Sequence, residues 1–180
     1  ALMDVGIGER SIARILSGVR SFYKFLVLDG YLEQDPTELL ESPKIGKHLP
    51  EVLSVEEIDA IEGVIDVSTP EGQRDRAAIE MLYSCGLRVS ELCNLLLSDL
   101  FLDEGFLRVT GKGNKQRLVP ISERAIRELK SWFAFRNFIN IKPGEEDYVF
   151  ISAARKKHLS RITVFHNIKV YAEQADIQKT

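Results

Sequence analysis

Residues 100–121 read Leu100-Phe101-Leu102-Asp103-Glu104-Gly105-Phe106-Leu107-Arg108-Val109-Thr110-Gly111-Lys112-Gly113-Asn114-Lys115-Gln116-Arg117-Leu118-Val119-Pro120-Ile121. Three β-prone runs, 100–102, 106–110 and 115–121, are separated by Asp103-Glu104-Gly105 and by Gly111-Lys112-Gly113-Asn114. Glycine beside Asp or Asn between such runs marks tight turns, so the stretch predicts a three-stranded antiparallel meander. On both sides the period changes to that of a helix. The class is therefore α+β, dominated by helix.

Before the meander, Ile12, Ile15, Leu16, Val19, Phe22, Tyr23, Leu26 and Val27 recur at helical spacing, which predicts a helix over 11–28 ended by Gly30. A short helix is expected after Asp35-Pro36, with proline in its first turn. Residues 42–50 collect Pro43, Lys44, Gly46, Lys47 and Pro50 with few large apolar groups, and read as a linker. Ser54 and Glu57 have the spacing of a capping box. Further helices are expected from Pro70 to Gly86 and from about Val89 to Leu96. After the meander, Ser122 is placed to cap a helix carrying Ile126, Leu129, Trp132 and Phe133, and a last helix spans roughly 162–174.

At 180 residues, with 44% hydrophobic and 28% charged residues, the chain has the make-up of a globular protein, one domain and a piece of another. No run reaches the eighteen or so apolar residues of a membrane span, and no signal peptide is visible, so a cytoplasmic protein without membrane partners is expected. Cys85 and Cys93 form neither a disulfide framework nor a zinc pattern. The opening Ala1-Leu2-Met3 is not a natural start, which suggests a trimmed chain.

The net charge of −3 hides an asymmetry. Residues 51–75 hold eight acids against Arg74 alone, a net −7, which leaves +4 on the other 155 residues. That positive charge is clustered: Arg108, Lys112, Lys115 and Arg117 lie in one acid-free stretch, and Arg155, Lys156, Lys157, Arg161 and Lys169 in another. Local basic surfaces hold phosphates even on a domain that is acidic overall.

Two short sequences carry chemistry. In Cys85-Gly86-Leu87-Arg88-Val89-Ser90-Glu91-Leu92 an arginine stands at a glycine-marked helix junction, three residues before a glutamate. Guanidinium fits a phosphate bidentately, and a carboxylate one turn later can hold the fork. In Gly111-Lys112-Gly113 a lysine stands between two residues without side chains, able to approach a ligand closely. Each alone has an ordinary explanation: an exposed Arg–Glu pair worth about 0.2–0.5 kcal/mol, and a solvent-facing turn. The hairpin is no Walker A loop, because G-x-x-x-x-G-K-[ST] is absent, so nucleotide hydrolysis is not indicated.

Together, Gly86-Leu87-Arg88-Val89-Ser90-Glu91-Leu92, then Thr110-Gly111-Lys112-Gly113-Asn114-Lys115-Gln116-Arg117-Leu118-Val119-Pro120-Ile121, then a helix, resemble the tyrosine recombinases, most of all the bacterial Xer branch and related phage-type integrases. The separation of 24 residues between Arg88 and Lys112 agrees with that family. The resemblance implies that 1–41 are the end of a helical core-binding domain, 42–50 the linker, and 51–180 the first part of a catalytic domain. It implies that Arg88 clamps the scissile phosphate, that Lys112 protonates the departing 5′ oxygen, and that Glu91 supports them. A tyrosine would form a 3′-phosphotyrosyl link to double-stranded DNA, with no metal or other cofactor, inside a synaptic tetramer of recombinase protomers. Arg14, Arg20 and Lys24 from the first domain, and Lys115, Arg117 and Arg161 from the second, are expected at DNA phosphates.

Three departures from the family pattern matter. Its His-x-x-Arg motif, next histidine or tryptophan, and tyrosine nucleophile are expected later than these residues, which makes the chain a fragment inactive alone, cut at both ends. His166 opens His-Asn-Ile-Lys and ends in lysine; His48 and His158 are expected to face solvent. Tyr171, 59 positions after Lys112, is expected to be a packing residue, as are Tyr23, Tyr31, Tyr83 and Tyr148 in core or surface. The alternative is a non-catalytic DNA-binding or assembly module of the same fold; a type IB topoisomerase is a distant third.

Overall fold

The computed structural model describes residues 6–43, 46 and 51–179, the side chain of Lys112 excepted. The chain separates into two compact units, Ala1–Pro50 and Glu51–Thr180. Most of the expected linker, and His48 with it, lies outside the described residues.

In the first unit, helix α1 runs Glu9–Leu28, two residues longer at its start than the apolar pattern suggests. Its end is closed by Gly30 at φ +76°, with the Tyr31 N–H donating to the Leu26 carbonyl at 2.9 Å. The helix expected after Asp35-Pro36 is a turn instead. Asp35 Oδ1 accepts from both the Thr37 N–H (2.8 Å) and Thr37 Oγ1 (2.6 Å), and only i→i+3 backbone bonds follow. A side chain that satisfies the first amides locally competes with helix propagation. Arg20 of α1 donates to Ser42 Oγ (2.8 Å) and to the Leu40 carbonyl, tying α1 to the chain at 40–42.

The second unit carries α2 (Val55–Gly63), α3 (Pro70–Ser84), α4 (Val89–Cys93), β1 (Leu100–Phe101), β2 (Phe106–Thr110), β3 (Gln116–Pro120), α5 (Glu123–Arg136), β4 (Ile151–Ser152), β5 (Lys157–His158) and α6 (Arg161–Gln174). Local chemistry fixes the ends. Ser54 and Glu57 form the reciprocal capping box of α2, Thr69 caps α3, Ser122 caps α5 and Ser160 caps α6. The sheet is the expected antiparallel meander β1-β2-β3, with Val109 opposite Arg117 and Thr110 opposite Gln116. At its tip Gly113 (φ +72°) and Asn114 (φ +58°) both take the left-handed conformation that a tight hairpin turn requires.

The main core joins α3–α6 and the sheet: Met81, Leu92, Leu107, Val109, Leu129, Trp132, Phe150 and Ile151 are all at most 2% exposed, while Ile61 and Ile65 at α2 pack with Ile79 and α6 in a second cluster. The Trp132 indole N–H donates to the Val149 carbonyl at 2.9 Å, and the Val149 N–H to the Leu95 carbonyl at 2.9 Å. The run 147–151 is thereby fastened between α5 and the end of α4. The β4–β5 hairpin that follows is an element sequence periodicity does not reveal, since each strand has two residues and β5 is Lys157-His158.

Candidate active site

The site grows out of the junction between α3 and α4. Cys85 ends α3, and Gly86, at φ +58°, turns the chain where a side chain would be strained. Arg88 thus becomes the extended N-cap of α4, at φ −72° and ψ 148°, and Glu91 falls at the third helical position. From there Glu91 Oε2 accepts the Arg88 backbone N–H at 2.8 Å, and Oε1 accepts Arg88 Nη1 at 2.8 Å. One carboxylate therefore fixes both the backbone and the guanidinium of the same arginine.

The second hold on Glu91 comes from the meander. Arg117 on β3 places Nη1 2.7 Å from Oε1 and Nη2 2.9 Å from Oε2, a two-point fork. Each carboxylate oxygen so accepts two bonds, which uses the capacity of the group. Glu91 is 3% exposed, while Arg88 keeps 73% of its side chain in the open. The Arg117 fork foremost, with the Arg88 bonds behind it, holds the Glu91 carboxyl at about 2 against an opposing effect of burial. The carboxylate is therefore ionised at neutral and mildly acid pH.

Arg88, Ser90, Asn94, Lys115 and Gln116 surround an open hollow of ≈ 620 Å³ above this pair, with Gly111 at its floor. Lys112 stands in the turn between Gly111 and Gly113 that borders it; its side chain lies outside the described residues. Lys115 is exposed on the rim. The remaining expected cations differ. Arg161 opens α6 and is exposed, and Arg14 and Lys24 are exposed on α1, whereas Arg20 and Arg117 already hold protein partners. Arg108, counted with the basic stretch, is bonded to Asp99 at 2.7 Å and lies over the Phe101 ring.

The histidine expectations need one correction. His158-Leu159-Ser160-Arg161 has the bare His-x-x-Arg spacing, but it lies before α6, earlier than the position at which the family's motif is expected. The His158 ring is not turned to solvent: it is half-buried, its Nδ1 is 2.6 Å from Glu145 Oε2, and it stacks on Tyr148 with ring centres 4.3 Å apart. That contact spans 13 residues and closes the β4–β5 hairpin onto the loop before it, and short-range patterns carry no sign of it. Tyr171 donates its hydroxyl to Asp75 Oδ2 at 3.0 Å. Asp75 is buried and also accepts Asn167 Nδ2 (2.8 Å) and Arg74 (2.7 Å). Burial first, then the Asp75 charge, push the phenol well above its ordinary range. Among the described residues no group of three or more His, Cys, Asp or Glu is arranged to hold a metal ion. Both cysteines are buried, and burial raises their thiols. No described helix is long and apolar enough to cross a membrane.

Comparison with known proteins adds independent information. The phage integrase family model matches residues 51–180. The tyrosine recombinase XerD of Pseudomonas aeruginosa is 40% identical over 177 residues, covering 97% of this chain and 58% of that protein. A XerD of Staphylococcus aureus is 40% identical over 179 residues, covering 99% and 60%. The chain thus spans less than two thirds of the length of these relatives. Among solved structures, the XerA recombinase superposes with a TM-score of 0.63 at 29% identity, covering 98% of this chain and 59% of that one. A lambda integrase dimer bound to a COC′ core site gives 0.72 at 19% identity, covering 98% and 62%. A lambda integrase tetramer bound to a Holliday junction gives 0.65 at 17%, covering 96% and 54%.

Proposed function

The chain belongs to the phage integrase family of tyrosine recombinases, and on that premise we propose that it is the phosphate-clamping part of a site-specific DNA recombinase. In the reaction a tyrosine oxygen attacks the scissile phosphorus. The bond from phosphorus to the 5′ oxygen breaks, the phosphate stays on the 3′ side as a phosphotyrosyl ester, and the 5′ oxygen leaves with a proton. Rejoining is the reverse. Arg88 stabilises the charge that builds on the non-bridging oxygens, Lys112 delivers the proton, and Glu91 holds Arg88.

The observation that carries this reading is the pairing of a buried, fully bonded Glu91 with an Arg88 that remains 73% exposed over an open hollow. A guanidinium held by a single N–H keeps the rest of its fork for a phosphate. None of the five tyrosines suits the attacking role by this reading, Tyr171 least, because its hydroxyl is already committed to Asp75. The nucleophile and the family's second arginine then come from sequence outside these 180 residues, and the chain alone turns nothing over. Residues 1–41 serve as the end of the core-binding domain, 42–50 as the linker and 51–180 as part of the catalytic domain, in a cytoplasmic protein. Arg14, Lys24, Lys115 and Arg161 meet backbone phosphates, and protomers assemble as a tetramer on DNA. The DNA complexes formed by structural relatives support those partners.

The decisive experiment uses the intact protein on nicked double-stranded DNA that traps the covalent product. Wild type is expected to form a protein–DNA adduct. Arg88→Ala loses it by at least about 100-fold, and Lys112→Ala is slowed by roughly 100-fold. An undiminished adduct in Arg88→Ala refutes the clamp.

A further inference from the structure

We propose that Arg117 is a positioning residue for the cleavage reaction, which acts through Glu91 to set the sign of the charge at the phosphate site. The inference rests on the reading of Arg88 as the clamp and gives Arg117 a task other than touching DNA. The geometry is the argument. Arg117 on β3 and Arg88 at the start of α4 are 29 positions apart and share one carboxylate, with four N–H groups on two oxygens.

Charge bookkeeping explains why two arginines are needed. An Arg88–Glu91 pair alone sums to zero, so an anionic phosphate approaching Arg88 would meet a carboxylate beside it. Removing Glu91 would free the charge but also the Arg88 backbone and side chain that Glu91 orients. A second guanidinium resolves the conflict. It takes up the negative charge of Glu91 through a bidentate fork and leaves a net +1 on the three residues. Because the Glu91 side chain is only 3% exposed, that neutralisation has more weight than between two solvated charges, even though both guanidiniums meet solvent. The meander thereby does more than present Lys112. Its third strand ties the α3–α4 junction to the sheet, so the hairpin and the clamp are joined through one carboxylate. Gly111 supports this: the nearest atoms to its side-chain position are Glu91 Oε1 (3.6 Å), the Lys115 carbonyl oxygen (3.6 Å) and Arg117 Nη1 (3.7 Å), so the turn bearing Lys112 starts in contact with the carboxylate.

The test is single-turnover cleavage of nicked DNA by the intact protein, with binding measured separately. Arg117→Ala is expected to lower the rate at saturating DNA by roughly 10- to 100-fold, with Kd and its salt dependence changed less than about twofold. Arg117→Lys keeps the charge without the fork and is expected to recover most of the rate. Adding Glu91→Gln to Arg117→Ala is expected to raise the rate severalfold above Arg117→Ala, because it removes the carboxylate left without a counter-charge. A purely structural role predicts the opposite, a double variant slower than either single. The inference fails if Arg117→Ala weakens binding and lowers the salt slope while leaving the saturated rate intact, which makes Arg117 a phosphate contact. It fails equally if Lys is no better than Ala in a protein that melts like wild type, or if Glu91→Gln gives no recovery. Full adduct formation by Arg88→Ala overturns the clamp reading itself, and is told apart from all of these.

Discussion

Two clusters of arginine and glutamate stand in the second unit, built with opposite surpluses. At the site, two guanidiniums share one carboxylate: Arg88 and Arg117 on Glu91. Between α2, α3 and α5, one guanidinium serves three carboxylates. Arg124 reaches Asp59 at 2.9 Å, Glu80 at 3.1 Å and Glu62 closer still. The first cluster has positive charge left over and holds one arginine in the open. The second has negative charge left over and keeps most of it inside, with Glu62 and Glu80 at 2% and 3% exposure and only Asp59 half in solvent. A surplus at an open hollow can be met by a ligand of opposite sign. In the interior only a proton or a neighbour can meet it. The physics of the pairs is the same; what the surplus faces separates a candidate site from a structural joint.

The largest expected effect on stability comes from the joint. Arg124→Ala leaves two buried carboxylates without their partner, and breaking such a pair costs about 3 kcal/mol, discounted for the part of Arg124 that meets solvent. That corresponds to a fall in Tm of roughly 10 °C for a unit of this size. Thermal melts at pH 5 and pH 8 check both the size and the cause. The loss is expected to shrink at pH 5, because burial raises the Glu62 carboxyl and lets it take up a proton there instead. An equal loss at both pH values means that Arg124 contributes packing and not charge.

The site cluster is expected to show the reverse pH dependence. Glu91 is held at about 2 in the fold against an ordinary 4.5, so its contribution is complete above pH 4.5 and disappears as the pH falls towards 2. The shift corresponds to about 3 kcal/mol at neutral pH, and to less once the solvent around the two exposed guanidiniums is counted. Glu91→Gln removes this dependence, so wild type and variant are expected to converge in stability as acid approaches pH 2. Urea midpoints between pH 2.5 and 7 measure it. Parallel curves across that range contradict the assignment.

The contrast also marks what the sequence makes legible. Capping boxes, the meander and its turn are local, decided within about six residues, and Ser54, Ser122 and Gly113 announce them from sequence alone. Arg88 with Glu91 is legible for the same reason, being one turn of one helix. Arg117 on Glu91, Arg124 on Glu62 and His158 on Glu145 are not, because they join residues 26, 62 and 13 positions apart that meet only once the core has formed. Nor does the charge of the acid-rich run 51–75 reveal that part of it is interior: Glu62 turns to Arg124, and Asp75 gathers Arg74, Asn167 and Tyr171. At Asp35-Pro36 the local signal itself misleads, since Asp35 caps a turn as well as it would cap a helix.

The smallest expected effect is the most specific to the joint. Burial raises the Glu62 carboxyl, Arg124 works against it, and the nearby Glu80 charge adds to the rise. Glu62 Oε1 accepts no hydrogen bond from the protein among the described residues, so ionising this group leaves half its charge unserved. A carboxyl raised in the fold favours folding fully below its ordinary value and loses that contribution as the pH climbs through the raised one. Glu62→Gln keeps the acceptor for Arg124 without the charge. It is therefore expected to match wild type near pH 5 and to exceed it by about 1 kcal/mol or less at pH 8. The same substitution at Glu91 must do harm at pH 8, because there the carboxylate is what the two arginines hold. Denaturation of both variants at both pH values reads this reversal. If Glu62→Gln is destabilised at pH 8 as Glu91→Gln is, the two clusters differ in exposure only, and the surplus of charge has no part in what each does.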